Sequence, residues 1–492
     1  MAPKEMKKIT DNIWEIPKTF KEGMQVPARI YASEKLVNAM DDGVFNQVTN
    51  VATLPGIINH ALCMSDGHTS ILFEWEDKWG YGFPIGGVAA FDVEKGVISP
   101  GGIGFDINCG MRLILTNLTL NDVRPKIKEL IDRLFERVPA GVGSSGFLKP
   151  TRSQFKEVIE NGAKWCIEQG YGWEEDMKMT EEDGVMKGAD SSKVSDKAIK
   201  RGLIQIGTLG SGNHYLEIQT TDKIFDPEFA KICGINEEGQ IVIMFHCGSR
   251  GFGHQIGTDY LRTFLDVMPK YGIKVLDQEL ASAPFRSKEG QDYFAAMKCG
   301  INMSFANRQV ILHRIREVFE KVFKQSAENL GMHQVYDVAH NTAKLERHNV
   351  NGVEKEVLVH RKGATRAFGP NRKEVPGKYR AIGQPIIIGG SMETGSYLLV
   401  GTEKAMQETF GSTCHGSGRT MSRAKAKHLY RGDTLLRDME KRGIYVRSTS
   451  MSGVAEEAGG AYKDIHDVID SVHNAGISKK VVALKPIGNV KG

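Results

Sequence analysis

Four apolar runs in this sequence end in glycine-rich turns that carry metal-binding types of side chain, and this repeated arrangement constrains the fold most. The segments are GGIGFDINCG with Asp106 and Cys109, LGSGNHYLE with His214, IVIMFHCGSRG with His246, and VYDVAHN with His340. A strand that opens into a glycine-rich turn often presents functional side chains. Because the segments lie about 30 to 100 residues apart, the fold itself must bring them together.

The side chains of these segments suit a transition metal. One thiolate, one carboxylate and three imidazoles favour Mn, Co or Zn over Mg or Ca, and a cysteine sulfur can bridge two ions. Two neighbouring ions would hold phosphoryl oxygens on both the entering and the leaving side. The alternative is structural, because a single histidine of this kind is more often part of the core and Cys109 could be a small buried apolar residue.

A fifth histidine has a different setting, in TCHGSGRTMSR. The glycines after His415 allow close backbone approach to a phosphate, and Arg419 could pair with it. His415 could therefore be a phosphate ligand, a general acid or a nucleophile, or it could lie in an ordinary turn. The sequence contains neither a P-loop motif nor the Lys-x-Asp-Gly in which ordinary nucleic-acid ligases place their nucleotidylated lysine.

A basic stretch, HRKGATRAFGPNRKEVPGKYR, occupies residues 360–380 and contains a single acid, Glu374. It predicts either a solvated loop or a groove for a phosphate backbone. Arg201 and Arg250 flank two of the histidine segments and could extend such a groove.

Hydrophobic periodicity predicts helices over residues 121–137 and 307–324, and β-rich runs occur at 112–116, 240–245, 356–359, 385–388, 444–446 and 481–484. These elements do not alternate regularly, so we predict an α+β (irregular α/β) fold. No linker is evident, and we expect residues 1–492 to form one large domain. The polar segment 173–201 is expected to be an exposed loop with a short helix.

Composition excludes several classes of protein. Apolar residues make up 40% and charged residues 25% of the chain, which is ordinary for a globular protein. No apolar stretch is long enough to span a membrane, and the N-terminal segment does not resemble a secretory signal. The seven scattered cysteines contain no Cys-x-x-Cys pair, so we expect a reducing, cytoplasmic setting. The net charge of +4 means that any nucleic-acid contact must come from local basic patches.

With these segments assembled, the chain resembles the RtcB family of GTP-dependent RNA ligases, and its archaeal branch most. The motifs occur in order as GGIGFDINCGMR, LGSGNHYLE, FHCGSRGFGHQ, DVAHN, HRKGATRAF, the GSM of GGSMETGSY, STCHGSGR and the terminal VKG. The resemblance implies mixed sheets around a dinuclear metal site. It also implies an enzyme of tRNA splicing and RNA repair that joins 2′,3′-cyclic phosphate or 3′-phosphate RNA ends to 5′-hydroxyl ends, using GTP and two Mn²⁺ ions.

The resemblance also implies roles for individual residues. His415, oriented by Asp66, would attack GTP and carry GMP, which then passes to the RNA 3′-phosphate before the 5′-hydroxyl displaces it. One metal would be held by Asp106, Cys109 and His214, and the other by Cys109, His246 and His340. The guanylate pocket would comprise Asn213, His214, Tyr215, Leu216, Glu217, His340, Asn341, Gly389, Gly390, Ser391, Met392, Ser396, His415, Gly416, Ser417, Gly418, Tyr462 and Lys491. RNA phosphates would contact Arg201, Arg250, Arg419 and Arg423, and an archease-like activator is a possible partner.

Three features depart from the family pattern. About ten extra residues, near 69–78, separate MSDGH from the GYGFPIGG segment. Glu393 stands where the family has glycine, and HGSGR replaces HGAGR. Two other interpretations remain at this point: a metal-dependent phosphohydrolase that acts on cyclic phosphates, and a non-catalytic RNA-binding protein. His415 is needed by neither.

Overall fold

Two large β-sheets dominate the structure, a computed structural model that describes residues 2–69 and 82–492. The strands are β1 Lys7–Thr10, β2 Ile13–Ile16, β3 Ala28–Tyr31, β4 Ala61–His68, β5 Ile85–Asp92, β6 Val97–Ile98, β7 Gly110–Thr119, β8 Tyr215–Ile224, β9 Gln240–Cys247, β10 Ala283–Pro284, β11 Gln334–Ala339, β12 Asn341–Val350, β13 Val353–Lys362, β14 Ala364–Arg366, β15 Pro385–Gly389, β16 Ser396–Gly401, β17 Ser412–Cys414, β18 Tyr445–Ser448 and β19 Ser478–Lys491.

Helices cover and connect these sheets. They are α1 Glu34–Ala39, α2 Asp42–Val51, α3 Leu120–Val123, α4 Ile127–Arg137, α5 Arg152–Glu168, α6 Glu174–Lys178, α7 Asp196–Gly202, α8 Pro227–Cys233, α9 Arg250–Val267, α10 Lys288–Phe323, α11 Glu403–Glu408, α12 Arg423–Leu429, α13 Gly432–Lys441, α14 Met451–Glu456 and α15 Ile465–Asn474. None of the helices in the described part of the chain is long and apolar enough to cross a membrane.

The sheets confirm the predicted mixed α/β class without a regular βαβ rhythm. The N-terminal sheet has the strand order β1-β2-β3-β4-β5-β13-β12, and the central sheet has the order β11-β7-β9-β8-β19-β16-β15, with β18 added beside β19. The pairs β6/β10 and β14/β17 form two small additional sheets. Parallel pairing occurs at β3/β4 and β18/β19.

Neighbouring strands along the central sheet run antiparallel from β11 to β15. Strands β11, β9, β19 and β15 therefore end at the same edge at which β7, β8 and β16 begin. We call this the site edge. Residues that are distant in sequence meet here at the spacing of adjacent strands, about 4.8 Å.

The longest helix, α10, starts 19 residues earlier than the predicted helix at 307–324, at Lys288 after the N-cap Ser287. The middle of α10 is buried on nearly all sides, and its buried polar residues include Asn302 and Ser304 ahead of the predicted start. It therefore lacks the amphipathic stripe on which the prediction depended. The helix predicted over 121–137 ends at Arg137 as expected, but a 3₁₀ turn at Arg124–Lys126 interrupts it.

The polar segment 173–201 contains the predicted short helix and many exposed residues, but it is more ordered and more buried than the loop that we predicted. It contains α6 and most of α7, and its side chains Asp176 and Glu181 are buried. Asp176 forms an ion pair with Arg316 in α10, and Glu181 forms one with Arg366 in β14. These two acids thus pair with distant buried cations, whereas Glu174, Glu175, Asp183 and Asp196 are exposed.

The prediction of a phosphate-binding groove along the basic stretch is wrong for its first part. Arg361 and Arg366 are 0% and 2% exposed. The Arg361 guanidinium donates two hydrogen bonds to Glu346, at 2.6 and 2.9 Å. Lys362 is also buried, and its ammonium donates to the carbonyl oxygen of Phe83 at 2.8 Å. These cations hold the fold together and cannot lie along an exposed RNA groove.

We expect Arg361→Met to lower the free energy of unfolding by about 3–5 kcal/mol, because it leaves the buried Glu346 carboxylate without its main partner. Lys373→Met, at an exposed position of the same basic stretch, should change stability by less than about 0.5 kcal/mol. Denaturant unfolding of both variants measures the difference. Equal stabilities would show that the Arg361–Glu346 pair makes no special contribution.

Candidate metal centre and nucleotide cleft

Five predicted metal ligands meet at the site edge as two overlapping groups. In the first, the Nε2 atom of His214 lies 2.9 Å from Asp106 Oδ2 and 3.3 Å from Cys109 Sγ. In the second, His246 Nε2 lies 3.0 Å from Cys109 Sγ and 3.1 Å from His340 Nε2. The ligand atoms of each group lie within 4.8 Å of one another. Cys109 belongs to both groups, as the sequence suggested.

The central sheet explains how these residues meet. His340 follows the last residue of β11, Cys109 precedes the first residue of β7, and His214 precedes the first residue of β8. His246 lies near the end of β9 and is paired in register with Met111 on one side. Each of four adjacent strands thus contributes one ligand at the same edge, and Asp106 joins them from the turn before Cys109.

The protonation of these groups suits metal binding. Burial lowers the pKa of His246 and His340 well below the usual range and also lowers that of His214, so the imidazoles are neutral. His214 Nδ1 lies 3.0 Å from the Leu209 carbonyl oxygen and 2.7 Å from Arg250 Nη1, while its Nε2 atom faces Asp106 and Cys109. Burial raises the pKa of the Cys109 thiol, so a metal ion would have to displace its proton.

His415 lies beside this centre. It follows β17, and its ring centroid is 4.8 Å from that of His340. Its Nδ1 lies 2.5 Å from Asp66 Oδ2, which also accepts hydrogen bonds from the backbone N–H groups of His415 and Gly416. Burial opposes ionisation of Asp66, but the contacts with His415 and the Lys463 ammonium hold the pKa of its carboxyl below its usual value. The predicted Asp66–His415 pairing is therefore present in the structure.

The turn around Asp66 is fixed by two close contacts. The buried Lys463 ammonium donates to the carbonyl oxygens of Ser65 and Gly67 on either side of Asp66. Gly418 has φ +70°, and a Cβ atom there would lie 2.1 Å from the Asp66 carbonyl oxygen. Only glycine can occupy this position without displacing Asp66.

One cleft of about 920 Å³ joins the metal centre to the predicted nucleotide pocket. Asp106, Cys109, His246, His340 and His415 lie along its wall. The predicted pocket residues that line it are Asn213, Tyr215, Asn341, Gly389, Gly390, Ser391, Met392, Gly416, Ser417, Gly418, Tyr462 and Lys491. His214, Leu216, Glu217 and Ser396 do not line the cleft and are buried.

A buried polar network underlies the far end of the cleft. Glu217 accepts hydrogen bonds from Asn489 at 2.9 Å and from Gln219 at 2.5 Å, and burial raises the pKa of its carboxyl to about 7. Lys491 is 3% exposed, and its ammonium lies 3.5 Å from Glu457. Lys491 is also paired in register with Tyr215. The tail is thus tethered to the core, as the apolar run before it predicted.

The four arginines assigned to RNA phosphates have different surroundings. Arg419 and Arg423 line the cleft, where they pair with Glu457 and Glu456 respectively. Arg250 Nη1 lies 2.7 Å from His214 Nδ1, whereas Arg201 donates to Gln255. Arg201 and Arg250 do not line the cleft.

Sequence reasoning did not assign four charged residues to the cleft wall: Asp41, Lys362, Glu457 and Lys463. Glu457 and Lys463 lie in AEEAGGAYKD, which carries no recognised motif. Lys362 was assigned to a possible RNA groove, although burial lowers the pKa of its ammonium to about 8 and its side chain faces the cleft. Only contacts with residues far away in the chain reveal these positions.

Of the departures from the family pattern, Glu393 lies in the described part of the chain. The predicted insertion near 69–78 falls, except for Thr69, outside the described residues. Glu393 points away from the cleft, because its carboxylate accepts a hydrogen bond from the Gly459 N–H and pairs with Arg442. It therefore adds no negative charge to the nucleotide pocket.

Comparison with known proteins points to one family. The family described as tRNA-splicing ligase RtcB matches residues 47–492. The chain is 55% identical over 487 residues to the tRNA-splicing ligase RtcB of Archaeoglobus fulgidus, and 54% identical over 488 residues to that of Thermococcus kodakarensis. It is 47% identical over 489 residues to that of Nanoarchaeum equitans. Each alignment covers 99% of both chains.

Proposed function

Because this chain belongs to the RtcB family of tRNA-splicing ligases, we propose that it seals RNA through a guanylylated histidine. It would join 2′,3′-cyclic phosphate or 3′-phosphate ends to 5′-hydroxyl ends, in tRNA splicing and RNA repair. The observation that carries this proposal is the position of His415, which contacts buried Asp66 and lies beside His340 in the cleft.

Asp66 would prepare His415 for attack on GTP. Its carboxylate accepts a hydrogen bond from the Nδ1–H group, so Nε2 keeps its lone pair as the nucleophilic atom. Nε2 would bond to the α-phosphorus while the bond to the β-phosphate oxygen breaks and pyrophosphate leaves. The imidazole becomes cationic in this step, and the Asp66 carboxylate would stabilise that charge.

Two transfers would follow. An oxygen of the RNA 3′-phosphate takes the GMP from Nε2 and regenerates the free histidine, giving RNA-3′-pp-5′-G. The 5′-hydroxyl oxygen of the second RNA then bonds to the 3′-phosphorus, and GMP leaves. Arg419 and Arg423, on the cleft wall, would pair with phosphate oxygens, and Arg201 and Arg250 would contact RNA phosphates outside it.

Two Mn²⁺ ions suit the donor set of the centre, which has one thiol, one carboxylate and three neutral imidazoles. Asp106, Cys109 and His214 would hold one ion, and Cys109, His246 and His340 the other. Bound there, the metals would withdraw charge from the phosphoryl oxygens.

The nucleotide would bind between the metal centre and the tail. The buried Ser417 hydroxyl has no hydrogen-bond partner among the described residues and lines the cleft beside His415. It could therefore donate to a phosphate. Lys491 and Tyr462 would form the guanine end of the pocket, with the buried Glu217 carboxyl behind Lys491. We further propose a cytoplasmic setting and an archease-like activator as a partner.

The decisive experiment is intact-mass analysis after incubation with GTP and Mn²⁺. We expect a single GMP adduct on His415 in the unmodified chain and none in His415→Ala, whose thermal unfolding should be unchanged. His428→Ala, at an exposed histidine of α12, serves as the control and should form the adduct normally. Normal adduct formation by His415→Ala would refute the proposed nucleophile.

Turnover of cyclic phosphate without any adduct would favour a phosphohydrolase, and RNA binding without turnover would favour a non-catalytic protein.

We expect Cys109→Ala to lose metal from both groups, because one sulfur lies within reach of both. His246→Ala should retain more of the metal held by Asp106 and His214. Measurement of bound Mn²⁺ per chain after dialysis compares the two variants. An unchanged metal content in Cys109→Ala would show that the thiol does not bridge the two groups.

We expect Lys491→Ala to weaken GTP binding and to reduce the preference for GTP over ATP by about 10- to 100-fold. An ammonium can donate to guanine O6 but meets an amino donor at the same place on adenine. Lys485→Ala removes an exposed lysine of the same strand, β19, and should bind both nucleotides normally. Competition binding with GTP and ATP measures the preference, and equal selectivity in the two variants would contradict the role of Lys491.

A further inference from the structure

Two consecutive residues in the middle of α10, Asn307 and Arg308, contact every segment that carries a candidate metal ligand. Both side chains are 0% exposed. Neither lines the cleft, so neither can touch a substrate or a metal ion there. Their hydrogen bonds instead run to the backbone of the turns from which three of the ligands project and to the Asp337 side chain on β11.

Arg308 joins three of these segments. Its Nη1 donates to the carbonyl oxygen of Asn108 at 2.7 Å and to that of Cys247 at 3.0 Å. Asn108 precedes Cys109, and Cys247 follows His246. The other two nitrogens bind both carboxylate oxygens of Asp337, at 2.7 and 2.8 Å, on the strand that leads to His340.

Asn307 connects the segment that carries His214 to the segment that carries His246. Its amide oxygen accepts hydrogen bonds from the N–H groups of Gly207 and Thr208, and its amide nitrogen donates to the carbonyl oxygen of Gly248 at 3.1 Å. Leu209 is the next residue after Thr208, and its carbonyl oxygen is the atom that orients the His214 imidazole. Asn307 therefore links the turn before His214 to the turn after His246.

The backbone at Cys109 requires such support. Asn108 has φ +57°, a left-handed conformation that residues other than glycine seldom adopt. Its N–H donates to the Asn341 carbonyl oxygen at 2.7 Å, and its own carbonyl oxygen accepts from Arg308 and Ser304. Without Arg308, the turn would lose a charged hydrogen bond that holds Cys109 between the two ligand groups.

We propose that Asn307 and Arg308 are positioning residues of the metal centre, which hold the four ligand-bearing segments at the separations that two ions require. This inference rests on the proposed function, in which those segments bind Mn²⁺. A guanidinium can make this planar set of contacts, whereas a lysine ammonium cannot reproduce its geometry. The substitution Asn307→Asp would keep the hydrogen-bond acceptor oxygen and remove the N–H donor.

The same helix supplies matched controls. Arg316 is also buried and binds both carboxylate oxygens of an aspartate, Asp176, at 2.7 and 2.8 Å. Asn302 is buried and donates to the carbonyl oxygens of Ile159, Glu160 and Met186. Neither contacts a ligand-bearing segment. Their variants therefore show how much stability the same substitutions remove when the metal centre is not affected.

The test compares Arg308→Lys with Arg316→Lys, and Asn307→Asp with Asn302→Asp, in the full-length protein. Calorimetric titration with Mn²⁺ gives the affinity, the absorption of the Co²⁺-loaded protein reports the thiolate–metal bond, and thermal unfolding reports stability. We expect both pairs to lose stability similarly. Arg308→Lys and Asn307→Asp should also lose about 10- to 100-fold in metal affinity and show a weakened thiolate band, while the controls bind metal as the unmodified chain does.

Unchanged affinity and spectrum in Arg308→Lys and Asn307→Asp would overturn the inference, and so would equal losses in the two control variants. If Arg308→Lys does not fold, the Asn307→Asp and Asn302→Asp pair decides the question. A failure of the proposed function looks different, because the unmodified chain itself would then bind no Mn²⁺ and show no thiolate band with Co²⁺.

Discussion

The spacing of strands in an antiparallel sheet is the constraint on which the site depends. Strands β11, β7, β9 and β8 lie side by side and alternate in direction, so each contributes one candidate ligand at the site edge. The interstrand distance of about 4.8 Å brings ligand atoms from adjacent strands close enough to share one ion. The same edge continues to the end of β19, where Lys491 pairs with Tyr215, so the nucleotide pocket is an extension of the metal centre.

Sequence patterns predicted the chemistry of this site better than its surroundings. Glycine-rich turns after apolar runs identified Asp106, Cys109, His214, His246 and His340, because both the residue types and their local setting are visible in the sequence. The structure brings these five together in the two groups that the family resemblance implied. The contact of Asp66 with His415 also follows that resemblance, since the two lie on different sheets and no local pattern connects them.

Charged residues were harder to interpret because a charge in a sequence does not reveal its partner. Arg361 and Arg366 resembled part of an RNA-binding surface, yet each pairs with a buried glutamate. The acids of segment 173–201 were read as solvated for the same reason. For helix α10 the prediction was too short. Buried polar residues interrupt the apolar pattern in the first half of this 36-residue helix, so the pattern predicted only its second half. In each case the deciding contact joins parts of the chain that are far apart.

The order of the ligands along the chain also sets when the centre can form. Cys109 and His340 come together only when β11 pairs with β7, and closing such a long loop is slow. A metal ion that meets the unfolded chain finds at most Asp106 and Cys109 near each other, too few donors to nucleate structure as zinc does in a zinc finger. The centre is thus a late product of folding, and metal loading is a property of the assembled sheet.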